Sequence, residues 1–304
     1  MNTPQIGYLA FPLDTPKSQN FFEKLLQALD GQMTEPTPFG LFHFFFLAVI
    51  VGLCVFIIRK CRNISEKSVR TVLIATSVTL IALEIYKQFN VAYNWEEDSW
   101  GYEWSAFPFQ FCSTPLYIMP LAALAKRERF RESLYAFLAS YCLVAGIMVM
   151  LFPSTVFTET IGLNIQTMVH HGAMIVIAVL LLASNKIALN RKTLKTALPV
   201  FLVLCGMALI MNGLFIAFGD SEQNFNMFYI SPTEDPPMDI LVTLLDYIPY
   251  PVYLFGYIFF FSLGAYLVLL FSEKLRERHD KQIAERAAES AEDQQPQTLK
   301  DTKI

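Results

Sequence analysis

Two short stretches concentrate the reactive side chains of this 304-residue chain. FPFQFCSTPLYIMP, residues 107 to 120, sets Gln110, Cys112, Ser113 and Thr114 among apolar neighbours and three prolines. QTMVHHGAM, residues 166 to 174, carries Gln166, His170 and His171. A thiol and an imidazole are the parts of a nucleophile and its base: the ring takes the thiol proton and the thiolate attacks. Two ridges descend the second stretch, Gln166 with His170 and Thr167 with His171 at i, i+4, so either His is a candidate partner. The plainer alternatives are a Cys acting as a small hydrophobe and a His making a satisfied polar contact.

Other polar side chains sit inside apolar runs, where each costs a few kcal/mol and marks a candidate functional position. Glu84 lies three residues before Lys87 and four before Gln88, spacings that suit either a binding site or a self-satisfied pair. His43 and Asn212 stand near the ends of their runs. Tyr247, Tyr250 and Tyr253 open another, where an aromatic belt is the ordinary use. Asn, Ser and Thr in such runs commonly just bond neighbouring helices.

The elements that must hold these residues are membrane helices. The chain is 54% hydrophobic, 14% aromatic and only 16% charged, with mean hydropathy +0.40, which departs from soluble averages. About 20 apolar residues cross a bilayer, and seven segments qualify: 40–58, 70–91, 107–125, 133–151, 162–184, 196–218 and 247–271. The expected fold is an all-α polytopic helical bundle of seven transmembrane helices. Connections 59–70, 126–132, 185–195 and 272–281 hold five, four, four and four Lys or Arg, whereas 92–106, 152–161 and 219–246 hold none. Positive loops stay in the cytoplasm, so the N-terminus is expected outside and the C-terminus in the cytoplasm. The first apolar run begins at Phe39 with no basic region before it and is expected to anchor rather than be cleaved.

On that topology Glu84, Lys87, His43, Cys112, Asn212 and the tyrosines share the outer half, with His170 roughly 12 Å down from Gly162. The other half is nearly pure aliphatic and aromatic. That asymmetry implies a polar pocket opening toward the outer leaflet. On a regular helix Gln110, Ser113, Thr114 and Tyr117 form one stripe and Cys112 falls opposite. Pro108 suits a first turn, and Pro115 removes a donor to the Phe111 carbonyl, so a kink beside Cys112 is expected.

Residues 1–39 are expected to form an outer segment, 40–271 the transmembrane domain and 272–304 a polar cytoplasmic tail that prolongs the last helix briefly. In the first segment NFFEKLLQALDG has a capping box at Asn20 and Glu23, a stop at Gly31 and one apolar face, which fits a helix in the interface, a lid or a packed surface helix. The connection 219–246 reads as a cap over the outer mouth or as an exposed loop. None of the five cysteines falls in an outer connection and no CxxC or HExxH occurs, so neither a disulfide framework nor a metal site is expected, and no cofactor. A net charge of −4 gives no sign of a nucleic-acid partner.

FPFQFCS, YAFLASYCLVAGIMVMLFP, QTMVHHGAM and DYIPYPVYLFGY, in this order over roughly residues 40 to 270, resemble the bacterial YwaF-type integral membrane proteins and their eukaryotic relative, transmembrane protein 164. The resemblance implies a seven-span acyltransferase that moves an acyl chain between phospholipid and lysophospholipid, with Cys112 and His170 as the catalytic pair. The family's stretch usually reads closer to LPLHLC, and Gln110 in place of His leaves thiol activation more dependent on His170. Gln110, Asn212 or Tyr250 would hold the oxyanion, and Ser113, Gln166, His171, Glu84, Lys87 and His43 would line the substrate pocket. The expected location is a bacterial plasma membrane. A lipase or esterase with the same pair, or a carrier that binds a ligand without covalent chemistry, are the alternatives.

Overall fold

A run of some twenty apolar residues has one way to satisfy its own backbone in lipid, which is the α-helix. The computed structural model describes residues 20–293 apart from 95, 96, 98, 221, 222, 237–241, 244 and 246. These form α1 (Phe21–Leu29), α2 (Leu41–Lys60), α3 (Glu66–Ala92), α4 (Pro115–Leu124), α5 (Glu128–Leu151), α6 (Ile161–Ala183), α7 (Arg191–Phe218) and α8 (Tyr250–Asp293). Six of them, α2, α3, α5, α6, α7 and α8, are long and apolar enough to cross a membrane. A two-stranded antiparallel ribbon, β1 (Tyr93–Asn94) with β2 (Ser99–Trp100), lies in the connection between α3 and α4.

The segment expected as a third regular span, 107–125, departs from that expectation. Residues 107–110 are not helical, Phe111–Ser113 make one 3-10 turn, and α4 begins only at Pro115. The prolines explain it. Pro115 has no N–H to continue a helix from Phe111 but suits the first position of a new one, while the Phe111 carbonyl accepts instead from the Thr114 N–H at 3.2 Å and hydroxyl at 2.8 Å. Pro108 therefore starts no helix.

α5 and α6 run through the centre, buried along most of their length, and α2 and α8 lie at the edge. Small residues on α5 allow this closeness: a Cβ on Gly146 would come within 3.1 Å of Ile175 and Met174 and 3.2 Å of the His171 carbonyl. Tyr135, Phe137 and Tyr141 of α5 are fully buried. Tyr141 stacks on Phe201 of α7 at 4.5 Å and donates to the Ser262 hydroxyl of α8 at 2.9 Å, which ties three helices at one level.

The end of the bundle rich in Lys and Arg is laced by cations. Arg276 of α8 donates to the Leu182 carbonyl and, at 3.4 Å, to the Ile187 carbonyl, so a positive group meets the end of α6 where carbonyls lack helical partners. Arg62 pairs with Asp280. α8 continues to Asp293 rather than stopping soon after the apolar run. Residues 272–293 contain no Gly or Pro and are rich in Ala, Glu, Lys and Arg, all strong helix formers. The last part of the expected tail, 294–304, lies outside the described residues.

At the opposite end α1 realises its capping box, with the Asn20 and Glu23 side chains each bonded to the other's backbone. It ends at Asp30, and Gly31 and Met33 pair with Ile161 and Glu159 through backbone bonds of 2.7 and 2.8 Å. Leu26 is buried while Phe21, Leu25 and Leu29 remain exposed, so the described residues leave much of the apolar face uncovered. Of the acids in the connection 92–106, Glu96 and Asp98 lie outside the described residues.

Candidate functional site around Cys112 and His170

Because the chain breaks before Pro115, the Cys112 carbonyl turns toward α6 and meets the His170 ring: Nε2 lies 2.8 Å from it. A carbonyl only accepts, so Nε2 carries the proton and Nδ1 the lone pair. That Nδ1 is buried and has no hydrogen-bond partner among the described residues. His171 turns the other way, its Nδ1–H bonded to the Thr167 carbonyl of its own helix at 2.8 Å and its Nε2 left bare among the described residues. His170 is thus the histidine that faces Cys112, but it meets the backbone of that residue and not its thiol. The reason is the 3-10 turn, which presents the carbonyl on the α6 side. Ser113 is buried beside it.

Glu84 is buried near the end of α3, and it is both paired and shared. Its Oε1 accepts from Lys87 Nζ at 2.8 Å and Gln88 Nε2 at 2.8 Å, and its Oε2 from Gln166 Nε2 of α6 at a long 3.5 Å. Gln88 also donates to the Ala106 carbonyl at 2.7 Å and accepts from the Tyr102 hydroxyl at 3.1 Å. Gln166 stands one turn before His170 on α6, so the cluster and the imidazole share a face of that helix. A groove of about 350 Å³ reaches this cluster from the side of the bundle, with Glu84 and Gln88 set among Ile81, Ile85, Leu116 and Tyr117. Outside the spans, Tyr102 holds its phenolic proton above the ordinary range, chiefly because burial disfavours the phenolate and secondly because Glu84 repels it.

Gln110, Asn212 and Tyr250 do not point free donors at the thiol. They bind the connection after α7. Gln110 donates to the Asn226 carbonyl at 2.9 Å and accepts from the Phe228 N–H at 2.9 Å. Asn212 clasps Met227 likewise, at 3.0 and 2.8 Å. Tyr250 and Tyr253 donate to the Ile230 and Tyr229 carbonyls at 2.7 and 2.8 Å. Residues 225–228 and 230–231 are buried, so this stretch is a plug in the end of the bundle rather than an exposed loop. Phe228 stacks on Phe109 and Phe111 at 5.8 and 5.4 Å. Phe228 and Tyr229 hold φ of 61° and 57°, a left-handed backbone that bulky residues rarely adopt. Tyr247, by contrast, is exposed and sits before the start of α8.

His43 belongs elsewhere. Its Nδ1 accepts from the Phe39 N–H at 3.0 Å, and its ring packs between Phe39 and Phe157 at 5.2 and 5.7 Å. It closes the first turn of α2 and joins none of the bonds around Cys112. Sequence reasoning missed Asn226, whose carboxamide bonds the Ser231 N–H and the Glu234 and Asp235 carbonyls at 2.8, 2.9 and 3.3 Å to shape the plug. It also missed Phe228 and Tyr229, whose left-handed backbone turns the plug beside Phe109 and Phe111. The available signal was NFNMFYI, too aromatic for an exposed connection.

No curated protein and no solved structure matches the chain significantly. A family model does match, over residues 38–269, which takes in α2 through most of the apolar part of α8 together with the plug. An all-α chain with six membrane-length helices, whose matched stretch holds Cys112, His170, Glu84 and Asn212, belongs to the TMEM164 family.

Proposed function

We propose that this protein transfers an acyl chain between phospholipids through a thioester on Cys112, with His170 as the base. His170 lets go of the Cys112 carbonyl, turns its bare Nδ1 to the thiol and takes the proton, and the thiolate attacks the ester carbonyl of a phospholipid. The ester C–O bond breaks, the departing alkoxide takes the proton back from the imidazolium, and a lysophospholipid leaves. A second lysophospholipid then gives its hydroxyl proton to His170 and attacks the thioester, which restores the thiol. The lipid enters sideways along the groove at Glu84, because an ester that never leaves the bilayer needs a lateral route. By the charge of the connections, that groove opens to the outer leaflet, and the membrane we assign is a bacterial plasma membrane.

The observation that carries this reading is the 2.8 Å contact between His170 Nε2 and the Cys112 carbonyl, which seats a neutral imidazole, its Nδ1 unbonded among the described residues, against the residue that bears the thiol. With Gln110, Asn212 and Tyr250 engaged by the plug, the oxyanion needs another donor or the plug's release.

The test is an adduct. Purified protein given phospholipid acquires a hydroxylamine-labile acyl group on wild type and none on Cys112→Ala; the same adduct on the variant would sink the proposal. Products collected with and without added lysophospholipid separate transfer from hydrolysis, and free fatty acid in both arms would make the protein an esterase.

A further inference from the structure

The bundle carries a second groove, far from Cys112 and larger, about 640 Å³, at the end rich in Lys and Arg. Its upper wall is apolar, from Ile74 and Ala75 of α3 and Ala123 and Leu124 of α4, and its floor is charged, from Glu66, Lys67 and Arg70. The groove exists because α4 stops at Leu124, so the first turns of the much longer α3 lack a continuing neighbour.

The charges there do not balance. One oxygen of Glu66, Oε1, accepts from Arg70 Nε at 3.2 Å, Arg131 Nε at 3.0 Å and the Tyr135 hydroxyl at 3.0 Å. A single carboxylate thus answers two guanidiniums. Lys67 is exposed and forms no ion pair among the described residues. Arg70 spends only Nε on Glu66, and its Nη groups make no hydrogen bond with the described residues. A guanidinium fork with idle N–H groups beside a free ammonium matches phosphate oxygens.

We propose that this groove binds the phosphodiester headgroup of an anionic phospholipid, with its acyl chains lying along Ile74, Ala75 and Leu124. A membrane lipid fits better than a soluble phosphate, because the apolar wall continues into lipid-facing Val78, Ile81 and Leu121, all exposed. Lys126 and Arg127 follow α4 after Ala125, with Glu128 next, in the short connection that leaves the groove's wall. The cytoplasmic leaflet, where positive connections remain, is where anionic headgroups attract basic clusters.

The experiment is native mass spectrometry of the full chain released from nanodiscs of phosphatidylcholine doped with phosphatidylglycerol. Wild type retains one phosphatidylglycerol in preference to phosphatidylcholine. At roughly fivefold per basic residue near the membrane surface, Lys67→Gln weakens retention about fivefold and Lys67→Gln/Arg70→Gln about twenty-fivefold. Lys192→Gln/Lys195→Gln removes two exposed cations from α7 at the same end and leaves retention unchanged. Lys67 has no ion-pair partner among the described residues to lose, so its single variant stays informative if the double one folds poorly. Equal losses in the α7 variant, no loss in Lys67→Gln, or full displacement by soluble glycerol phosphate would each overturn the assignment.

Discussion

Replacing Asn212 by Leu should release the plug without unfolding the bundle. The amide makes two hydrogen bonds to the Met227 backbone, and both leave a buried group behind when it goes. At about 1 kcal/mol for each net bond, the plug loses roughly 2 kcal/mol, which multiplies its open population by roughly 30. Tyr253→Phe keeps the ring and removes one bond to the Tyr229 carbonyl, so about 1 kcal/mol and roughly fivefold are expected. The two left-handed aromatics, Phe228 and Tyr229, assist opening, since each stores of order 1 kcal/mol of backbone strain that release relieves. Hydrogen exchange on the full chain in nanodiscs reads this directly. The Phe228 and Tyr229 amides should exchange faster in the order Asn212→Leu, Tyr253→Phe, wild type, while amides in the middle of α5 hold their rates. Unchanged exchange in Asn212→Leu would refute the clasp, and equal acceleration throughout α5 would show that the residue supports the whole fold instead.

Three further outcomes are expected. His170→Ala should lower formation of the acyl adduct by roughly 10² to 10⁴, the range of a general base, whereas His171→Ala, which loses only a bond within its own helix, should lower it far less; a thiol-reactive lipid probe compares them. Gly146→Ala pushes a methyl against Met174, Ile175 and the His171 carbonyl and should cost about 1–3 kcal/mol by overpacking, seen as a lower Tm. Glu84→Gln leaves Lys87, whose side chain is 23% exposed, with a charge and no counter-ion. It should destabilise by about 3 kcal/mol or less, and Glu84→Gln/Lys87→Met should recover much of that in the same thermal assay.

Most of the helices could be read from their apolar runs, and the parts that could not share one cause. α2, α3, α5, α6 and α7 fall where their apolar runs lie, because lipid leaves such runs a single backbone solution. The break at Pro115 was legible too, since a missing N–H is a local fact. What the break would do was not: whether residues 107–110 kink or leave the helix altogether depends on partners for their freed backbone and side chains. Gln110 finds its partners in residues 226 and 228, more than a hundred positions away, and no local pattern encodes that pairing. The same holds for Asn212 and Tyr250, read as candidate oxyanion donors, and for Tyr253, read as a belt aromatic, which all hold a plug. For His170 and His171 a helical wheel offered both; only the 3-10 turn across from α6 decides between them. The length of α8 was legible and undervalued, as its residues beyond Phe271 are helix formers throughout.

That His170 holds the main chain at position 112, rather than a side chain, makes its anchor blind to which residue stands there. Cys112→Ser and Cys112→Ala would keep the 2.8 Å bond, the tautomer and the address of the imidazole, and change only the atom offered to it. Position 112 is therefore an exchangeable socket: sulfur, oxygen or nothing can be set beside the same imidazole, and on the proposed mechanism a difference in reactivity then belongs to the residue at 112.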